Sequence, residues 1–248
     1  MQYFFETVET IPAGVGFRHY DGLHLVWLAA FVIFTVVACR CYRGCGMVGR
    51  DRWRKTLAAL IVANEIFKVV CLCIGGNYML KYLPLHLCSI NIFLIAVHAF
   101  KPHLKGLGNF LYMVSIPGAM SALLFPSWAS LPLQNFMHLH SFSIHMLLAA
   151  YPIILTAGGD IKPDVKQLPK CLLLLLAMAV PLYFFNLWFD TNFMFLKFAE
   201  PGTPLVWFAE NWGNHLLGFP VLIGAVVAIM HLPPLLLRRL RNKNKVTA

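Results

Sequence analysis

The sequence predicts an all-α membrane protein of seven transmembrane helices, with the N-terminus outside and the C-terminus in the cytoplasm. Three observations lead there. Apolar residues make up 59% of the 248-residue chain and charged residues only 12%, about half the usual charged share, so the chain cannot cover a water-facing surface. Seven predominantly apolar runs, at 22–41, 56–74, 82–100, 107–125, 138–157, 168–189 and 214–237, each approach the ~20 residues needed to cross the hydrocarbon. The basic residues alternate in sidedness along those runs. With seven spans, Arg40, Arg43, Arg50, Arg52, Arg54, Lys55, Lys101, Lys105, Lys162, Lys166, Lys170 and the tail residues Arg238, Arg239, Arg241, Lys243 and Lys245 all fall on one side. Only Arg18, Lys81 and Lys197 fall on the other. The rich side is cytoplasmic, and dropping any interior span would put basic loops on both sides.

The runs belong to one membrane domain, 1–248. Residues 1–22 carry Glu6, Glu9, Arg18 and Asp21; they lack the basic start of a cleaved signal, so the first run is expected to stay as an anchor. Connections are short, the longest running from Asp190 to Gly213. Pro117, Pro152, Pro181, Pro220 and the Pro233–Pro234 pair lie inside spans, where neighbouring groups re-satisfy the freed carbonyls.

A formal net charge of +10 raises the question of nucleic acid. The basic residues sit in short loops between apolar runs, so no nucleic-acid partner is expected. Zinc-finger spacing and a Gly-rich phosphate loop are both lacking. His138 and His140 are two residues apart and point to opposite helix faces, so no metal site and no cofactor is expected. The last run contains no lysine for a retinal Schiff base, and no Gly-x-Ser-x-Gly elbow occurs.

Polar residues inside the runs then stand out, because an ionisable group there costs about 2.5–3.5 kcal/mol on insertion scales. Counting inward from the outer face, Cys88 lies about six residues, or roughly 9 Å, deep in the third run. His145 lies about seven residues into the fifth. Asn186 ends the sixth run in the same outer layer, so a Cys, a His and an Asn share one depth on three helices. Runs three and five present N-termini outward, which favours a thiolate at Cys88 and a neutral His145, the pairing that Cys–His acyl transfer requires. His86, two residues from Cys88, would point about 200° away on a helix. Asn91, three residues on, shares the Cys88 face. Ser141 and His145 are spaced i, i+4. In the second run Glu65 and Lys68, at i, i+3, either neutralise each other or line a polar cavity open to the outside. Asp190, Thr191 and Asn192 cluster beside aromatics at the outer interface. Cys39, Cys41, Cys45, Cys71, Cys73 and Cys171 read as apolar fillers or surface thiols.

The stretch Leu83-Pro-Leu-His-Leu-Cys-Ser89 resembles the LPL-x-x-C-S signature of the YwaF-like bacterial membrane proteins. A histidine early in the fifth span, here His145, and the Asp190–Leu196 element after the sixth also fit that pattern. Phe193 stands where the family has tyrosine and Asp190 where it has glycine. The resemblance runs from about Tyr20 to Leu236. The family is similar to the eukaryotic transmembrane protein 164 group, which resembles acyltransferases acting on phospholipids. The resemblance implies catalysis by Cys88 and His145 through a thioester, with membrane lipids as substrates, in a bacterial plasma membrane. Asn91 or Asn186 would orient the imidazole or the oxyanion, and Glu65, Lys68, Ser141, Asp190, Thr191 and Asn192 would line the substrate path. A lipid or fatty-acid-ester hydrolase using the same pair, and a small-molecule transporter or channel, are the alternatives. Oligomeric state has no signature.

Overall fold

The computed structural model describes residues 2–200 and 203–230, and among these every regular element is helical. In order they are α1 (Gly22–Gly44), α2 (Met47–Ile74), α3 (Leu87–Phe100), α4 (Lys105–Phe110), α5 (Ile116–Leu124), α6 (Phe136–Gly158), α7 (Leu168–Phe189) and α8 (Pro204–Trp212), then α9 (His215–Met230). Five helices are long and apolar enough to cross a membrane: α1, α2, the α4–α5 unit, α6, and α7 with its preceding turn. A sixth arises if α8 and α9, bent by 117°, form one broken crossing. The end of the seventh apolar run, with Pro233, Pro234 and the basic tail, lies outside the described residues.

Helix α1 shows how the chain meets lipid. Its buried positions are His24, Phe31, Thr35, Ala38 and Tyr42, steps of three, four and seven that mark one helical face. Val26, Val32, Ile33 and Val37 are exposed, as a lipid-facing side should be. Asp21 caps it: the carboxylate accepts from the His24 and Arg18 amides, each at 2.9 Å, satisfying one of the amides a helix start leaves orphaned. Helix α2 inverts the usual pattern. Its buried stripe of Leu57, Ile61, Glu65, Lys68 and Leu72 includes two charged residues, while Leu60, Ile66, Phe67 and Val70 face outward.

Helix α6 is the hub and packs on α1, α2, α3 and α5. Fully buried Ala149 and Ala150 let neighbours approach closely, which is how helices associate where lipid removes the hydrophobic drive. Asn135 caps α6, accepting from Met137 and His138 amides at 2.8 and 3.2 Å. Its own amide donates to the Tyr3 and Glu6 carbonyls, tying the N-terminal segment across this end of the bundle. That segment lies so close to the 126–135 loop that a Cβ at Gly16 would fall 2.1 Å from the Ala129 carbonyl oxygen. Only glycine fits there. Between α4 and α5 the helix widens into a π turn over Leu111–Ser115, where the Ile116 amide reaches back five residues to Leu111, just before Pro117 removes the next donor.

The third helix begins five residues later than the apolar run. Leu80–Tyr82 form a 3-10 turn, Leu83 is extended (φ −55°, ψ 145°), and His86 is the extended N-cap (φ −66°, ψ 151°). Pro84 sets this break, because the residue before a proline is pushed out of the helical region. Cys88 is therefore in the first turn of α3 rather than two turns into it. The remaining 14 residues span about 21 Å at 1.5 Å each.

Candidate active site at the head of α3

Cys88 is the second residue of α3. Among the described residues, the first amide of that helix to find an acceptor is Ile90, bonded to the His86 carbonyl at 2.9 Å, so the amides of Leu87, Cys88 and Ser89 stand unpaired there ahead of it. Those N–H groups and the helix dipole put positive potential on the cysteine. The thiol is half-buried and makes no hydrogen bond among the described residues.

His145 sits on α6, against which α3 packs. Its Nδ1 is 2.6 Å from the Ser141 carbonyl oxygen. A carbonyl only accepts, so Nδ1 carries the proton and donates, and Nε2 is left with its lone pair. Ser141 thus contributes its backbone rather than its hydroxyl. The imidazole is also stacked on Trp128, with centroids 5.2 Å apart and planes 10° from parallel. Trp128 comes from the loop before α6 and is held edge-on against Phe142. Sequence reasoning missed Trp128, and no spacing rule could reveal a loop residue stacked on a helix residue 17 positions away.

The charges of α2 lie close by. Lys68 Nζ donates to Glu65 at 2.5 Å, and the other Glu65 oxygen is 3.7 Å from His140 Nε2. His140 Nδ1 donates to the Asn64 side-chain oxygen at 2.8 Å, and Asn64 donates to Ser143 at 2.6 Å. Lys68 is in electrostatic range of His86, His140 and His145. A polar layer therefore joins α2 to α6, with His86 at the N-cap of α3 in electrostatic range of it. It holds no group of three or more metal-ligating side chains among the described residues. His138 has a separate job: it donates to the Leu131 carbonyl and accepts from Trp27.

The Asp190–Leu196 element roofs this layer. Asn186 is fully buried; its amide donates to the Phe193 carbonyl at 2.9 Å and its oxygen accepts from Thr191 Oγ1 and the Phe193 amide. All three of these bonds go to shaping the loop. Asn192 likewise accepts from the Lys197 and Phe198 amides, and Asp190, exposed in the left-handed region at φ 52°, pairs with Lys197. The loop sets Phe193 and Phe195 against His86, centroids 5.1 and 5.8 Å away. This is how the third motif reaches the first. Asn91, by contrast, is buried one turn beyond Cys88 with its side-chain oxygen unpartnered.

The structure thus puts His86 at the N-cap of α3, His145 and Lys68 in electrostatic range of one another, with Asn186, Thr191 and Asn192 as scaffolding of the roof. A family model, that of the TMEM164 family, matches residues 17–231, which takes in Cys88, His145 and the Asp190–Leu196 element. No curated protein and no solved structure matches the chain. With its apolar helices and a match over most of its length, the chain is an integral membrane protein and belongs to the TMEM164 family.

Proposed function

We propose that this protein is a lipid acyltransferase of a bacterial plasma membrane, working through a thioester on Cys88. The observation that carries the reading is the committed tautomer of His145. With Nδ1–H spent on Ser141, Nε2 is a proton acceptor and nothing else. In the first half-reaction Nε2 takes the Cys88 proton while Sγ bonds to the ester carbonyl carbon of a phospholipid. The C=O electron pair moves to oxygen, the C–O bond to the lipid breaks, and His145 returns the proton to the departing alkoxide. In the second, an acceptor hydroxyl loses its proton to His145 and attacks the thioester, restoring the thiol. Asn91, one turn along the same face, orients the imidazolium through its open Oδ1 acceptor or the oxyanion through its amide nitrogen donor. Glu65 and Lys68 line the path taken by the lipid's polar part.

The full reading has seven crossings with the head of α3 outward. The shortness of α3 is then made up by the extended 83–86 segment, and the α8–α9 bend breaks the last crossing. Acyl esters of the outer leaflet lie at about the depth of Cys88, so the donor enters sideways between helices.

Membranes containing the protein are incubated with a phospholipid bearing an alkyne-tagged acyl chain. Label released by neutral hydroxylamine is expected on the protein, and lost by orders of magnitude in Cys88→Ser, in His145→Gln and in the pair together. The pair should lose little more than either alone, because the two act as a unit. Cys71→Ser should label normally. Normal labelling of Cys88→Ser would rule out the thioester.

A further inference from the structure

We infer that His86 is a further catalytic residue, a hydrogen-bond donor to the substrate carbonyl oxygen; this rests on the acyl-transfer reading above. A helical reading of 82–100 sends His86 to the far side from Cys88. The structure removes that geometry, because His86 is the extended N-cap and α3 starts after it.

Three observations give the ring its role. Its Nδ1 accepts from the Met194 amide at 3.4 Å. A ring nitrogen that accepts carries no proton, so the proton is on Nε2 and that atom is a donor. The ring is fixed in this sense by Phe193 and Phe195, which flank it from the roof loop. Finally, His86 Nε2 and His145 Nε2 both lack a hydrogen-bond partner among the described residues. The buried unpartnered side-chain atoms among the described residues are Thr35 Oγ1, Arg54 Nε, Asn91 Oδ1, Trp128 Nε1 and Thr156 Oγ1. Neither histidine nitrogen is one of them, so each keeps some accessible surface.

The two rings are in electrostatic range of each other and offer opposite chemistry. His145 presents a lone pair and His86 presents an N–H, and the thiol is at the helix head two residues after the second. Acyl transfer needs that pair of functions: a base for the thiol proton and a donor for the oxygen on which charge develops. When Sγ attacks, the oxygen accepts a hydrogen bond from His86 Nε2–H without taking the proton, alongside the free amides of the first turn of α3. The roof loop acquires a purpose from this. By supplying the Met194 amide, it decides which nitrogen of His86 faces the substrate.

Two rates at Cys88 separate this role from others. Alkylation by iodoacetamide needs the thiolate but forms no oxyanion, whereas acylation by the alkyne-tagged phospholipid needs both. His86→Leu is expected to slow acylation by about 10²–10³, to leave alkylation within about threefold, and His86→Gln, which keeps an N–H, to recover part of the loss. Unchanged acylation in His86→Leu overturns the assignment. So does a parallel fall in both rates, which would place His86 behind the thiol or the fold. If His86→Leu fails to fold, His86→Gln and His86→Asn still set the ratio of the two rates, and a ratio equal to wild type overturns the proposal. Absence of acylation at Cys88 in the unsubstituted protein would fail the acyl-transfer reading itself, and His86 with it, whereas normal wild-type acylation unmoved by His86→Leu fails His86 alone.

Discussion

Helices α2 and α6 carry a polar cluster at each end, and the two are built differently. At one end Asp160, just past α6, takes the hydroxyl of Tyr42, Arg50 Nη1 at 3.1 Å and Arg54 Nη1 at 3.9 Å. Arg50 also donates to the Gly158 and Cys45 carbonyls. Arginines and acid are spent on one another, locking the α1–α2 corner to the end of α6. At the other end Lys68, Glu65 and His140 are also linked, but His145 and His86 each leave one nitrogen open and the first amides of α3 go unpaired. A cluster whose charges are paired with one another, with only Arg54 Nε left over, is a fastener. One that leaves ring nitrogens and a thiol without a partner among the described residues is the candidate site.

The largest expected contrast is topological. Cysteines introduced at positions 43–52 should be shielded from an impermeant thiol reagent in intact cells, and those in 126–134 should react. Labelling of both from outside would place the two clusters on the same side of the membrane and break the proposed orientation.

Charge removal should separate the clusters next. Glu65→Gln or Lys68→Gln alone leaves a buried unpaired charge, costing about 3–5 kcal/mol, so each should lower the yield of folded protein. The double change should restore folding while lipid labelling stays at least tenfold down, if the pair lines the substrate path. Full labelling in the double variant would reduce the pair to mutual neutralisation. Asp160→Asn should do the reverse, costing about 1–3 kcal/mol of stability with the labelling rate of the folded fraction unchanged.

The smallest effect concerns the N-terminal strap over the site end. Burial pushes the Glu9 carboxyl up, but bonds from Lys81, Thr7 and Tyr82 outweigh it and hold it below its ordinary 4.5. A carboxyl depressed on folding adds stability that is present above its unfolded value and lost as pH falls through the folded one. The thermal advantage of wild type over Glu9→Gln should thus be full at pH 7 and fade below about pH 4.5. The pair is exposed, so it is worth about 1 kcal/mol or less. An advantage independent of pH would mean that Glu9 packs rather than pairs.

Much of this was legible along the chain because lipid imposes simple rules. Apolar runs of membrane length locate α1, α6 and α7 within a few residues, and the end but not the start of α2, which begins at Met47 ahead of its run, since each helix must satisfy its own backbone. The cost of intramembrane charge singles out Glu65 and Lys68, and the structure puts both on the buried stripe of α2. Cys88 and His145 stood out by depth and by motif. The start of α3 was not legible, since an apolar run does not reveal where Pro84 and the His86 cap end the extended segment. That start decides on which side of Cys88 the His86 ring lies. Nor could sequence assign a proton to either histidine. The His145 tautomer depends on a carbonyl one turn back, that of His86 on an amide 108 residues away, and the His145 ring plane on Trp128 from a loop. The sequence by itself determined which residues enter the membrane and which of them are too costly to be there without a reason. Only the tertiary structure decided which of their atoms were left free to react, because a hydrogen bond is spent or spared by the partner that packing brings to it.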